Sequence, residues 1–291
     1  MNAGPAASRT AVLVCQGRAV AHGHFAQGRF DDPTALEMLN DAERKPVERA
    51  RSPEAPNKAG ERIEYEMLRA NAEVMVPRTI VIDDAVRSRP TSQVVILGAG
   101  LDGRAWRMRE LSSVDVFEVD QPSSQNDKRQ RTRQLDPVVR TLHFVPVDFT
   151  HDDLDTSLET AGHVDTTATT WIWEGVVPYL TPAAVRDTAG IIGRRSAPGS
   201  RLMVNYQTPS WSAAGARLVA RALAMVTRRT DPLANEPRRS AWTPEAMRDL
   251  LRQHGFNVVS DDDLLSISAS EHLTPRHERS LSLGRVAIAD K

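Results

Sequence analysis

The chain holds a single cysteine, Cys15, among its 291 residues. It therefore cannot form an internal disulfide or build a zinc site on cysteines. Such sparing use of cysteine suits a reducing compartment, and a cytoplasmic location is expected. No apolar run approaches the ~18–20 residues that a membrane-spanning helix needs, and no secretory leader is read at the start. Neither sign of charge dominates: 37 Lys and Arg face 38 Asp and Glu, for a formal net charge of −1. No broad field thus favours nucleic acid or an anionic membrane. Aromatic residues make up only 5% of the chain, so no stacking platform stands out. No internal repeat is visible. No histidine has an acidic partner at a telling spacing; His22, His24, His143 and His163 are candidate bases by residue type alone. What remains is a globular composition, 40% hydrophobic and 26% charged. The length suits one large α/β domain with additions, or two small domains.

The stretch from Gln93 to Pro122 organises the rest. Val94 to Leu97 reads as a buried strand of a parallel sheet. Gly98-Ala99-Gly100 follows at once, and glycines there permit a tight turn and a close approach of ligand to main chain. A helix is expected over Arg104 to Leu111, its free N–H groups facing the ligand. A second strand, Val114 to Val119, delivers Asp120 at its tip, where a carboxylate can accept both hydroxyls of a ribose. Strand, glycine turn, helix, strand and acid make half of a nucleoside-binding α/β fold. Two ligands fit. Gly98, Gly100 and Gly103 satisfy G-x-G-x-x-G with an acid about 20 residues on, as a nicotinamide dinucleotide site wants. S-adenosylmethionine also has a ribose and an adenine, and the glycine turn would then receive its amino acid end.

Before this unit the pattern is mainly helical. Thr10 to Val20 has an apolar stripe, and a helix starts near Pro33 and runs to about Leu39. Residues 40–62, charged and holding Pro46, Pro53 and Pro56, read as a loop with at most short helical pieces. Helical spacing returns from Ile63 to Val86, with Met67, Leu68, Met75, Ile80 and Ile82 as its buried residues and Pro77 breaking it in two. After the unit, Lys128 to Leu135 reads as a basic, solvated helix. Thr141 to Val147 is a third strand leading to Asp148-Phe149, an acid for an adenine amino group and an apolar cover for the ring. His151 to Ala161 is expected to be a helix. Ala168 to Trp173 is a fourth strand ending in Glu174-Gly175, and residues 182–195 are helical behind a Thr181-Pro182 cap. Ser200 to Tyr206 is the fifth strand, the helix after Thr243-Pro244 is the last clear one, and Phe256 to Val259 and Leu283 to Ala289 are the final two strands. Trp106, Trp211 and Trp242 are candidates to pack on a flat substrate.

Three features favour S-adenosylmethionine. Acids stand at three successive strand ends, Asp120, Asp148 and Glu174, whereas a dinucleotide needs only the first. The chain closes on a helix, a strand, a long connection and a strand, as methyltransferase domains do. Too few residues remain for the second domain of a dehydrogenase.

The sequence resembles the leucine carboxyl methyltransferase family, whose bacterial branches include polyketide carboxyl methyltransferases. The resemblance rests on Arg78-Thr79 with Asp83 nearby, QVVILGAGLDGRAWRM at 93–108, FEVDQP at 117–122 with Lys128, VPVDF at 145–149, WEGVVPYL at 173–180 and APGSRL at 197–202. It covers roughly residues 75–205 and extends loosely to RFDDP at 29–33. The family usually has Thr where this chain has Gly103, and that difference creates the perfect dinucleotide fingerprint. The resemblance implies a class I methyltransferase Rossmann-like fold: a seven-stranded, mostly parallel sheet with an antiparallel last strand. Residues 1–90 would form an N-terminal helical cap and 91–291 the Rossmann-like domain, with 207–242 as an insertion able to roof the pocket. Arg78 would hold the carboxylate of S-adenosylmethionine. Gly98, Ala99 and Gly100 would line its methionine end. Asp120 with Gln121 would take the ribose, Asp148 and Phe149 the adenine, and Glu174 the region of the amino group. Arg78 and Tyr179 would position the acceptor. The implied activity is O-methylation of a small molecule, a carboxylate first, in polyketide or other secondary metabolism, by a monomer or homodimer without a metal. The competing expectations are an NAD-dependent oxidoreductase using GAGLDG, and a scaffold that binds S-adenosylmethionine without catalysis.

Overall fold

Strand alternation sends the side chains of each strand to two opposite faces, and both faces of this sheet are covered. In the computed structural model, which describes residues 8–149, 151–209 and 239–291, one core layer gathers Val94, Ile96, Val116, Ile172, Met203 and Val286 with the N-terminal helices. The other gathers Val95, Leu97, Phe117, Val119, Trp171, Trp173, Leu202 and Val204 with later helices. The strands are β1 (Gln93–Leu97), β2 (Asp115–Asp120), β3 (Thr141–Pro146), β4 (Thr169–Trp173), β5 (Arg201–Gln207), β6 (Asn257–Asp263) and β7 (Gly284–Asp290). Their order is β3-β2-β1-β4-β5-β7-β6. β1 pairs in parallel with β2 and β4, β2 with β3, and β4 with β5, while β7 runs antiparallel to β5 and β6. This is the expected seven-stranded sheet. Chain direction across the sheet reverses its order between β1 and β4, and ligands of open α/β sheets bind at the carboxyl ends of strands at such a point. In register there, Leu97 pairs with both Val119 and Trp173, which places Gly98, Asp120 and Glu174 at one edge.

The N-terminal helices are α1 (Arg9–Ala21), α2 (Thr34–Glu37), α3 (Asp41–Arg51) and α4 (Ala59–Ser88). Three expectations fail here. The segment expected to be a loop contains α3, started by a capping box. Asn40 Oδ1 accepts from Glu43 N at 3.0 Å, and Glu43 Oε2 accepts from Asn40 N at 3.0 Å. Val47 and Ala50 anchor it in the core. Pro77 does not divide α4, which is one 30-residue helix. Leu68, Ala72 and Met75 are buried before the proline, and Ile80, Ile82, Ala85 and Val86 after it. Burial at ~1.5–3 kcal/mol per large side chain outweighs the ~3 kcal/mol that an interior proline costs. Met67, expected inside, is 41% exposed.

The other helices are α5 (Arg104–Arg107), α6 (Pro122–Arg131), α7 (Leu154–Thr160), α8 (Pro182–Arg194), α9 (Pro244–Gln253), α10 (Leu264–Ser270) and α11 (Glu278–Leu283). α5 is shorter than expected and gives way to a 3-10 turn at Arg109–Leu111. α6 begins at Pro122 rather than Lys128. Lys128 is buried, not solvated, with Nζ 2.6 Å from Glu118 Oε2. α7 starts at Leu154 because Asp153 caps it, accepting from Asp155 N and Thr156 N. The expected roof at 207–242, with Trp211, lies mostly outside the described residues. No described helix is long and apolar enough to cross a membrane.

Candidate functional site

A cavity of about 470 Å³ opens at the carboxyl ends of β1, β2 and β4. Arg78, Gly98, Ala99, Gly100, Asp120, Gln121, Asp148, Phe149, Glu174 and Tyr179 all line it. Ten residues spread over about 100 positions of sequence thus meet at one sheet edge, together with Ser8, Thr10, Ala11, Val14 and Arg18 of α1 and its N-cap.

The glycine turn is left-handed, with φ of +64° at Gly98 and +45° at Gly100, conformations in which side chains are strained. Ala99 N donates to Val119 O at 3.0 Å, tying the turn to β2. A Cβ on Gly98 would collide with Val176 Cγ2, so the space beside it is filled by protein and not reserved for ligand. At Gly100 a Cβ would crowd Ala11 of α1. Gly103 does not line the cavity. A Cβ there would collide with Thr34 Oγ1 and Asp32 Oδ1, so its smallness serves the packing of α2. The fingerprint that suggested a nicotinamide dinucleotide is therefore completed by a glycine with a packing role.

Asp120, at the tip of β2, accepts from Gly100 N at 2.6 Å through Oδ2 and from Gln121 N at 2.7 Å through Oδ1. No ion pair reaches it among the described residues. Burial pushes its carboxyl above the usual range, against the pull of those backbone N–H groups. Gln121 itself is exposed at the rim. Asp148 lies two residues past the end of β3, and its N–H donates to Asp152 Oδ2 at 2.8 Å. Phe149 beside it is half-buried against the core layer of β2 and β4.

Glu174 is held differently. Its Oε1 accepts from Arg18 Nη2 at 2.6 Å and Arg78 Nε at 2.8 Å, and its Oε2 from Arg104 Nη1 at 2.8 Å. Burial alone would raise this carboxyl, but the three guanidinium groups win and hold it well below the usual range. The cluster continues behind the cavity. Asp102 pairs with Arg104, and Asp83 with Arg104 and Arg107. Burial opposes ionisation of Asp83 too, yet Arg107 and Arg104 bring it down to about 2. Asp102 Oδ1 also takes Arg104 N at 2.8 Å, so one of the helix N–H groups expected to face a ligand is already satisfied. Arg18 Nε is buried with no hydrogen-bond partner among the described residues.

Arg18 and Asp102 escaped the sequence reading. Asp102, directly behind the glycine turn, could have been found there. Arg18 could not, because it meets Glu174 across 156 residues of sequence. The remaining aromatic and histidine candidates fall elsewhere. Trp106 is buried in the N-terminal core layer, with Lys128 Nζ 5.1 Å from its ring centre, and Trp242 is buried against Arg186. None of the eight histidines lines the cavity. His143 stacks on Phe117, and His163 is buried against Thr169 at the opposite edge of the sheet, its ring pushed down to about 4 first by burial and then by Arg195.

The sequence profile of the leucine carboxyl methyltransferase family matches residues 11–192. A Frankia alni protein named as a candidate S-adenosyl-L-methionine-dependent methyltransferase is 34% identical over 203 residues, which cover 68% of this chain and 68% of that protein. A Mycobacterium sp. JLS protein of the same name is 34% identical over 217 residues, 72% of this chain and 68% of its own. Among solved structures, a candidate methyltransferase from Thermobifida fusca has the same fold. It aligns over 96% of this chain and 94% of its own with a TM-score of 0.53 at 17% identity.

Proposed function

The chain belongs to the leucine carboxyl methyltransferase family and is an S-adenosylmethionine-dependent methyltransferase; from that premise we propose that it methylates a carboxylate oxygen of a small molecule, a polyketide or another secondary metabolite. The observation that carries the carboxylate reading is that the described residues leave no base for the acceptor, Asp120 and Asp148 being given to the cofactor. None of the eight histidines reaches the cavity. Glu174 is neutralised by three arginines, and Asp102 is paired with Arg104. A phenol or alcohol would need a proton acceptor. A carboxylate is ionised at neutral pH and needs only to be placed.

The residues present suit the cofactor. Its amino acid end is a zwitterion, and Glu174 beside Arg78 and Arg18 offers both complementary charges. The orphaned Arg18 Nε is a donor that a ligand carboxylate would satisfy. Gly98, Ala99 and Gly100 would border this end. Asp120, in no ion pair among the described residues, retains acceptor capacity for ribose hydroxyls, with Gln121 at its side. Asp148 and Phe149 would take the adenine. When bound, the cofactor supplies an activated methyl group on a sulfonium that leaves as a neutral thioether. The chain's task is to align the acceptor and exclude water. Its mostly apolar cavity favours a reaction in which opposite charges cancel. Tyr179 would orient the acceptor through its hydroxyl.

The test has two stages. Titration with S-adenosylhomocysteine, NAD⁺ and NADP⁺ should give binding of S-adenosylhomocysteine alone. Incubation with methyl-labelled cofactor and a panel of carboxylic acids should then give label that alkali releases as methanol, the mark of an ester. Alkali-stable label would move the reaction to a hydroxyl or nitrogen, and binding without turnover on any acceptor would favour the scaffold.

A further inference from the structure

The cations around the cavity divide into two kinds. Arg18 and Arg78 are buried and spent on Glu174. Arg239 also lines the cavity but forms no ion pair and no side-chain hydrogen bond among the described residues. The hydroxyl of Tyr179 is likewise without a partner among them. These two groups are neighbours by construction. Arg239 N donates to Pro178 O at 2.6 Å and Ser240 N to the same oxygen at 3.3 Å, while Ser240 Oγ donates to Val177 O at 2.8 Å. The backbone at 239–240 is thus stitched to the 3-10 turn Val177–Tyr179, which follows Glu174 after β4. Trp242 N on Gln207 O, at 2.9 Å, anchors the same segment to β5.

We propose that Arg239, beside Tyr179, is the anion-recognition residue of the acceptor subsite and selects acceptors that carry a carboxylate. The inference rests on the methyltransferase reading above and extends it to a residue outside the cofactor half of the cavity. An ionised acceptor entering a largely apolar cavity loses hydration and needs a cation in return. The buried arginines are engaged by Glu174 and, in the reading above, by the cofactor's own carboxylate, which leaves Arg239 for the acceptor. Its planar fork matches a carboxylate, and it can hold one oxygen while the other stays free as the nucleophile. In the transfer, the carboxylate oxygen forms a bond to the methyl carbon as the carbon–sulfur bond breaks, and its electron pair goes to sulfur. The ester product is neutral and loses its attraction to Arg239, so substrate is retained and product is not. Arg239 is exposed, and its side chain forms no ion pair or hydrogen bond among the described residues, so its replacement should leave the fold intact.

The experiment uses the full chain saturated with S-adenosylhomocysteine. Hexanoate, octanoate, benzoate and phenylacetate are titrated in parallel with their primary amides, at low salt, on the wild type, Arg239→Gln and Arg239→Lys. The wild type should bind at least one carboxylate about tenfold more tightly than its amide. Arg239→Gln should erase that gap, Arg239→Lys should restore part of it, and affinity for S-adenosylhomocysteine should be equal in all three. A gap that persists in Arg239→Gln, or no carboxylate preferred over its amide in the wild type, overturns the proposal. Failure of the wild type to bind S-adenosylhomocysteine overturns the cofactor reading beneath it. Ester formation by Arg239→Gln with unchanged KM removes Arg239 from the subsite while leaving that reading in place.

Discussion

Asp120 and Glu174 stand at the ends of two strands that flank β1, in one cavity, and are held in opposite ways. Asp120 is supported chiefly by backbone N–H groups and by no ion pair among the described residues, and burial raises its carboxyl. Glu174 is supported by three arginines from α1, α4 and the start of α5, and its carboxyl is well below the usual range. The difference separates two duties. A carboxylate committed to three buried cations joins helices to sheet, and a zwitterionic ligand engages it only as part of a charge-balanced set. A carboxylate held chiefly by backbone N–H groups has lone pairs left over, as the proposed ribose contact requires.

The largest test of this contrast is Glu174→Gln. Arg18 and Arg78 have no other ion-pair partner among the described residues. Removing one charge strands buried guanidinium groups, and a loss of about 3–5 kcal/mol of stability is expected, read from urea unfolding midpoints. An unchanged midpoint would mean that the cluster tolerates an unbalanced charge. Next in size is a pH effect at Glu118, which shares the strand face of Asp120 two residues upstream. Burial pushes Glu118 up from 4.5 to about 7, although Lys128 Nζ lies only 2.6 Å away and pulls downward. Its folded pKa lies above its unfolded value, so its contribution is present below pH 4.5 and is lost as pH rises through about 7. At 1.36 kcal/mol per unit this amounts to about 3 kcal/mol. Stability curves of the wild type between pH 4.5 and 8 should slope accordingly, and Glu118→Gln should flatten that part of the slope. The smallest effect on the fold belongs to Asp120→Ala. Affinity for S-adenosylhomocysteine should fall by about one to two orders of magnitude, because charge-assisted ribose hydrogen bonds are lost. The unfolding midpoint should move far less than in Glu174→Gln. Equal affinity in wild type and variant would withdraw the ribose assignment.

Gly98 sharpens the contrast from the backbone side. Its missing side chain leaves room for Val176, not for a ligand. Gly98→Val would therefore disturb the turn itself, and Asp120→Ala is the cleaner probe of the site.

Legibility differed between the sheet and the helices that cover it. β1, β2 and β4 are short apolar runs bounded by glycine or acid, and hydrophobic pattern with turn chemistry was enough to place them and the polar residues at their ends. That is why sequence pattern groups Gly98, Asp120 and Glu174 at one edge, with Asp148 beyond β3 beside them. Around α3 the charges and the prolines of residues 40–62 point to a loop, and they mask the capping box at Asn40 and Glu43 that starts the helix. Pro77 points to a break because its local cost is visible in sequence, whereas the burial on both sides that overrides it is tertiary.

The sequence by itself determined which residues end the strands, since strand ends follow from local pattern and a parallel sheet then aligns them on one edge. Only the tertiary structure decided the electrostatic identity of those residues. Whether a carboxylate is held low by guanidinium groups or raised by burial depends on partners such as Arg18, 156 positions from Glu174, that packing alone brings within hydrogen-bond distance.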